Sequence, residues 1–284
     1  MLTGTSLSAT SWRINMITRK TMAGPILFSI AFAVAGCGGG NGPDPETIIE
    51  APPMVEEVAE DLRTLLGSEN RAEADRVRDA GRRPADVIEF LGIKNGMRVM
   101  DVIAAGGWYT EVLSIAVGPH GHVVAQNPPS VLAFREGRHE KAISARLADD
   151  RLPNVTRLNK DFADFVPEDG SFDVAITALN FHDAYNRNGP EAAVGMLKAV
   201  AAVLKPGGVF GIIDHVGEAG ADNTSLHRIE ISKVLETIEA AGLVVEADSD
   251  LLRNETDDHS LPIFDDAVRG KTDRFLLRVR IPAE

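Results

Sequence analysis

The sequence predicts a doubly wound α/β domain with a mostly parallel sheet. Two observations carry this. Short β-branched apolar runs recur at residues 97–103, 122–125, 155–159, 172–178, 209–214, 243–248 and 275–281. Helical patterns such as 109–117, 191–204 and 231–241 separate them, which is the rhythm of strands covered by helices on both faces. In such a sheet the ligand sits outside the carboxyl ends of the strands, so the residues just after each run are the candidate functional positions.

Taken in order, the chain opens with Arg13, Arg19 and Lys20 before an apolar run from Ala23 to Ala35. That run is shorter than the roughly 18–20 residues a membrane-spanning helix needs and fits a signal-peptide core. It ends Val34-Ala35-Gly36-Cys37, which resembles the lipobox of bacterial lipoproteins and implies lipidation at Cys37. The single cysteine excludes an internal disulfide framework and a cysteine-based zinc site. Residues 38–53 are rich in Gly and Pro and suit a flexible tether, leaving 54–284 as the folded domain. The expected location is therefore outside the cytoplasm: an exported lipoprotein, anchored to the membrane and facing the periplasm.

Helices are expected over 55–66 and from Pro84 to a stop at Gly92, as caps at the start of the domain. Between them Arg71, Arg76, Arg78, Arg82 and Arg83 interleave with Glu69, Glu73, Asp75 and Asp79, which reads as a solvated, salt-bridged face. The 42 acidic residues outnumber the 29 Lys and Arg to give a formal charge of −13, which argues against a nucleic-acid partner. Residues 253–271 are polar and long for a connection; a lid and a plain surface excursion fit equally.

Several stretches in order carry a family resemblance: Val99-Met100-Asp101-Val102-Ile103-Ala104-Ala105-Gly106-Gly107, then Asp161-Phe162, Phe172-Asp173-Val174-Ala175, and Leu204-Lys205-Pro206-Gly207-Gly208. Over roughly residues 84–281 they resemble the class I S-adenosylmethionine-dependent methyltransferases, and more narrowly a bacterial group of exported members. The resemblance implies a Rossmann-like, seven-stranded sheet with its last strand antiparallel and N-terminal capping helices. It also implies S-adenosylmethionine as cofactor, held by Asp101, Ala105, Gly106, Gly107, Tyr109, Asn127, Asp161, Phe162 and Asn180.

Two positions depart from the family pattern. Its three alternate glycines fall on Ile103, Ala105 and Gly107, and the β-branched Ile103 predicts a differently shaped turn without positive φ. The acidic ribose acceptor at the end of the second strand is replaced by Asn127, a neutral and weaker acceptor. Asp161 fits either an adenine contact or a turn aspartate, and Trp108 and Tyr109 either a cofactor wall or core packing.

After the fourth and fifth strands come His182-Asp183 and Asp214-His215, two His-Asp pairs expected to meet on one rim where methyl transfer would occur. His182 is the expected base, since imidazole titrates near neutrality and Asp183 or Asp214 could orient it. These side chains could also hold a divalent ion, but no ligand spacing demands one and no metal is assigned. The expected function is methyl transfer from S-adenosylmethionine to a small molecule or envelope component. The alternative is a non-catalytic, lipid-anchored binding protein that retains the fold.

Overall fold

Each apolar run becomes a strand of one sheet. The computed structural model describes residues 62–282. Its strands are β1 (Arg98–Val102), β2 (His122–Gln126), β3 (Val155–Leu158), β4 (Phe172–Ala178), β5 (Leu204–His215), β6 (Val244–Ser249) and β7 (Arg274–Arg280). They lie in the order β3-β2-β1-β4-β5-β7-β6, and β7 runs antiparallel to both β5 and β6 while the other pairs are parallel. The strand order reverses between β1 and β4, the topological switch point. The signal segment, Cys37, the tether and most of the 55–66 helix lie outside the described residues.

The helices are α1 (Leu62–Leu66), α2 (Glu73–Arg76), α3 (Asp79–Arg82), α4 (Pro84–Leu91), α5 (Trp108–Val117), α6 (Pro129–Leu147), α7 (Phe181–Asn188), α8 (Pro190–Ala202), α9 (Asn223–Leu226) and α10 (Ile231–Ala240). On one face α4 and α5 bring Val87, Ile88, Leu91, Val112 and Leu113 against Val99, Val174 and Ile213. On the other, α8 and α10 bring Leu197, Val200, Val234 and Ile238 against Met100, Phe210 and Ile212. Burial of both faces explains why the inner strands are nearly continuous apolar runs, whereas the edge strand β6 alternates between exposed and half-buried residues. Pro84 opens α4 and Gly92, at φ 73°, closes it, as their residue types predict. Gly211 lets α4 settle on the sheet, since a Cβ there would lie 2.6 Å from Leu91 Cδ1.

One expectation is corrected and one pair of alternatives is narrowed. The arginine-rich stretch is not a uniformly solvated face. Arg71 is buried, donating to the Leu66 carbonyl at 2.8 Å and pairing with Asp79. The guanidinium carbons of Arg71, Arg78 and Arg82 stand 5.8, 5.7 and 4.5 Å from the Trp108 ring centre, so the cluster closes over a buried indole. The 253–271 connection is no free lid either: Arg228 and Asp257, both wholly buried, form a two-pronged pair of 2.9 and 3.0 Å that pins it to the end of β5.

Candidate active site

A cleft of about 700 Å³ opens at the carboxyl ends of β1 to β4. Each strand contributes to it through the residues that follow: Ile103 and Ala105 after β1, Pro128 and Ser130 after β2, Asp161 and Phe162 after β3, Asn180 and Asp183 after β4. Five of the expected site residues therefore line one cavity: Ala105, Asp161, Phe162, Asn180 and Asp183. Asp161 is exposed and stands at the N-cap of a single 3-10 turn, but its carboxylate makes no capping hydrogen bond there. The turn alternative thus leaves its side chain available to the cleft.

The β1 turn overturns the expectation from Ile103. Ile103 and Ala105 do adopt positive φ, at 54° and 50°, and Gly107 at 81° completes the alternation. For side chains with a Cβ this costs roughly 1–2 kcal/mol per residue, so neighbouring groups must hold the turn in place. Gln126 Oε1 accepts from the Ile103 N–H at 3.0 Å while its amide nitrogen donates to the Lys160 carbonyl at 2.9 Å. Asn180 Nδ2 donates to the Ile103 carbonyl at 3.1 Å. Asn127 Oδ1 accepts from the Ala105 N–H at 2.8 Å and its Nδ2 donates back to the Ala105 carbonyl at 3.4 Å. Asn127 is fully buried with both ends of its amide engaged in this brace, whereas a ribose acceptor at its chain position would turn toward the cleft.

The other expected cofactor residues stand behind the cleft. Asp101 is buried and accepts from the Thr110 hydroxyl at 2.6 Å; burial pushes its carboxyl up to about 7. Tyr109 is buried edge-on against Trp108, with ring centres 4.7 Å apart, and burial raises its phenol to about 12. Gly106 and Gly107 back onto α6, where an added Cβ would meet Ala142 and Arg146 at 3.0 and 3.1 Å. None of the four lines the cleft.

At the β4–β5 rim the two His-Asp pairs do meet. Asp214 is fully buried, accepts from the His182 Nδ1 at 2.8 Å and the His182 N–H at 2.7 Å, and thereby caps the start of α7. A carboxylate only accepts, so Nδ1 carries the proton and Nε2 keeps its lone pair in the neutral ring. Burial works against charge on both groups, yet their attraction outweighs it: the imidazole is raised and the Asp214 carboxyl lowered from their ordinary values. His182 is itself buried behind Asp183, with Nε2 3.7 Å from Asp183 Oδ1. His215 turns away to the Thr272 hydroxyl at 2.7 Å, and burial drops it to about 3, so it is neutral and apart from the cleft.

Three participants were not foreseen. Phe134 and His139 stack with ring centres 5.8 Å apart in the cleft wall, at a break in α6 where residues 135–137 take left-handed backbone. His227 lies with Nδ1 3.5 Å from Asp183 Oδ1 and its ring edge-on to His182.

No family model matches the chain. Among solved structures, a SAM-dependent methyltransferase from Aquifex aeolicus superposes on 70% of this chain and 89% of its own, with a TM-score of 0.51 at 22% identity. The chain has the class I methyltransferase fold. The same fold aligns at a TM-score of 0.51 and 20% identity with the 4+2 cyclase SpnF, over 79% of this chain and 94% of that one, so the methyltransferase fold alone does not fix the reaction. A 123-residue segment, 43% of the chain, is 31% identical to the demethylmenaquinone methyltransferase of Staphylococcus aureus strain JH9. The chain covers 45% of that relative's length, less than half of the curated protein it matches.

Proposed function

We propose that this chain is an S-adenosylmethionine-dependent methyltransferase acting on a small molecule or envelope component. The observation that carries the reading is the cleft at the switch point, formed by residues following each of the first four strands. Its groups suit the cofactor. The free Asp161 carboxylate can accept from an adenine amino group, the Phe162 ring can lie on a purine, and the small Ala105 side chain at the braced turn leaves room for the ligand. Bound there, the cofactor supplies an electrophilic sulfonium methyl group. The chain's own task is to align the acceptor at the Asn180–Asp183 end and exclude competing water. The His182–Asp214 dyad behind Asp183 gives that end a proton-accepting nitrogen.

Calorimetric titration of S-adenosylhomocysteine into the purified full-length chain tests the proposal. Saturable micromolar binding is the expected result. No binding at millimolar ligand would overturn it and leave the lipid-anchored binding protein as the better account. Export and anchoring form part of the proposal on the strength of the lipobox-like sequence at Cys37. A Cys37→Ser chain is expected to leave the membrane fraction and appear among soluble proteins; unchanged membrane association would remove the anchor.

A further inference from the structure

The proposed chemistry accounts for His182 and Asp214 but not for the groups gathered around the free face of the imidazole. Asp183 Oδ1 lies 3.7 Å from His182 Nε2 and 3.5 Å from His227 Nδ1. One donor atom from each of these three residues falls within 4.8 Å of the other two, and among the described residues no other group of His, Cys, Asp and Glu is so disposed. We infer that His182 Nε2, the Asp183 carboxylate and His227 Nδ1 form a binding site for a divalent transition ion of the zinc type, adjoining the cleft through Asp183.

The donor chemistry favours this class of ion. Two imidazole nitrogens and one carboxylate suit zinc and its first-row neighbours, whereas magnesium and calcium prefer oxygen donors. Ligand atoms about 2.05 Å from a tetrahedral ion stand about 3.3 Å from one another, so the two spacings to Asp183 need to close by only a few tenths of an ångström, while the two imidazole nitrogens, within 4.8 Å of each other, draw together as the ion binds. The support around the ligands is also in place. Asp214 accepts from the other ring nitrogen of His182 at 2.8 Å, which fixes the ring and directs Nε2 outward, as a metal-bound histidine requires. His227 is held edge-on against Phe264, ring centres 4.9 Å apart. The competing cation is Arg187, whose Nε lies 3.0 Å from Asp183 Oδ1. That pair is exposed and therefore weak, so an ion bound at Oδ1 displaces the guanidinium at little cost.

Because the ion takes the lone pair that the dyad would offer to an acceptor's proton, the loaded and the proton-accepting forms exclude each other. This consequence rests on the methyltransferase reading; the site itself does not. The test is titration of Zn2+ by calorimetry, and of Co2+ followed by its visible absorption, into the untagged full-length chain after chelation and removal of the chelator. One ion per chain is expected. His227→Gln and Asp183→Asn should each weaken binding by at least about tenfold, with unchanged thermal midpoints showing that the fold is intact. No saturable binding, or equal binding by the wild type and His227→Gln, would overturn the site. Ion binding without S-adenosylhomocysteine binding would sustain the site while removing the methyltransferase reading.

Discussion

Replacing Arg228 by Ala is expected to cost about 3–5 kcal/mol of folding stability, the range for removing one partner of a buried ion pair. The guanidinium makes four hydrogen bonds: two to Asp257 at 2.9 and 3.0 Å, one to the Val216 carbonyl at 3.1 Å and one to the Leu261 carbonyl at 3.1 Å. Its loss strands a carboxylate whose side chain is 1% exposed and which holds only the N–H groups of Asp273 and His259, at 2.7 and 3.2 Å. Burial would raise the Asp257 carboxyl, but Arg228 and the N–H groups of Asp273 and His259 together outweigh it and hold the pKa below the ordinary value. Urea unfolding measures the cost as a shift in midpoint at constant slope. The Arg228→Met, Asp257→Leu double variant should recover much of it, because neither charge is then buried alone. A single variant as stable as the wild type would show that the pair does not hold the 253–271 segment. Limited proteolysis gives an independent check, since the freed segment should become the first site of cleavage.

Replacing Asp101 by Asn is expected to stabilise the protein at pH 8 by roughly 2–4 kcal/mol, with the gain vanishing near pH 4. The folded-state carboxyl titrates at about 7 rather than at the ordinary 3.8 because it is buried. Between those values the folded chain keeps a proton that the unfolded chain has released, so the contribution of Asp101 to stability falls as pH rises through this window. Asn is isosteric, never ionises, and can still accept from the Thr110 hydroxyl, so its stability lacks that slope. His215 acts in the opposite sense. Its folded pKa of about 3 lies below the ordinary 6.5, so stability is lost as pH falls from 6.5 toward 3. The difference between wild type and Asp101→Asn, measured by urea unfolding from pH 4 to pH 8, removes the His215 contribution. A difference that does not vary with pH would refute the assignment.

The sheet was legible in the sequence because an inner strand covered on both faces has to be apolar throughout, and β-branched runs such as Val99–Val102 announce that directly. The helix α6 was not, since only Leu132 and Ile143 of its residues are buried and its axis breaks at Phe134–Gly137. At the site, strand-end logic picked out Asp161, Phe162, Asn180 and Asp183, which line the cleft. It failed where a side chain's role depends on a neighbour distant in sequence. Ile103 argues against positive φ by its own preference, and only Gln126 and Asn180 reverse that argument. Asn127 occupies the position a ribose acceptor would, yet its amide is spent on Ala105. His227 reaches the rim because a bridge between Val216 and Ile229 draws its loop alongside the end of β5, a pairing that carries no sequence signal.

The position of β7 bears on how this chain folds. The strand nearest the C-terminus is interior, inserted between β5 and β6 and bonded to both through Arg274–Arg280. Until residue 280 is available, β5 keeps an open edge and β6 has no neighbour at all. The first four strands and the cleft they surround can assemble early, but closure waits on pairings of long sequence separation, the kind that slow folding. During that interval the exposed edge of β5 is open to wrong pairing, and β7, by covering it, also guards against aggregation.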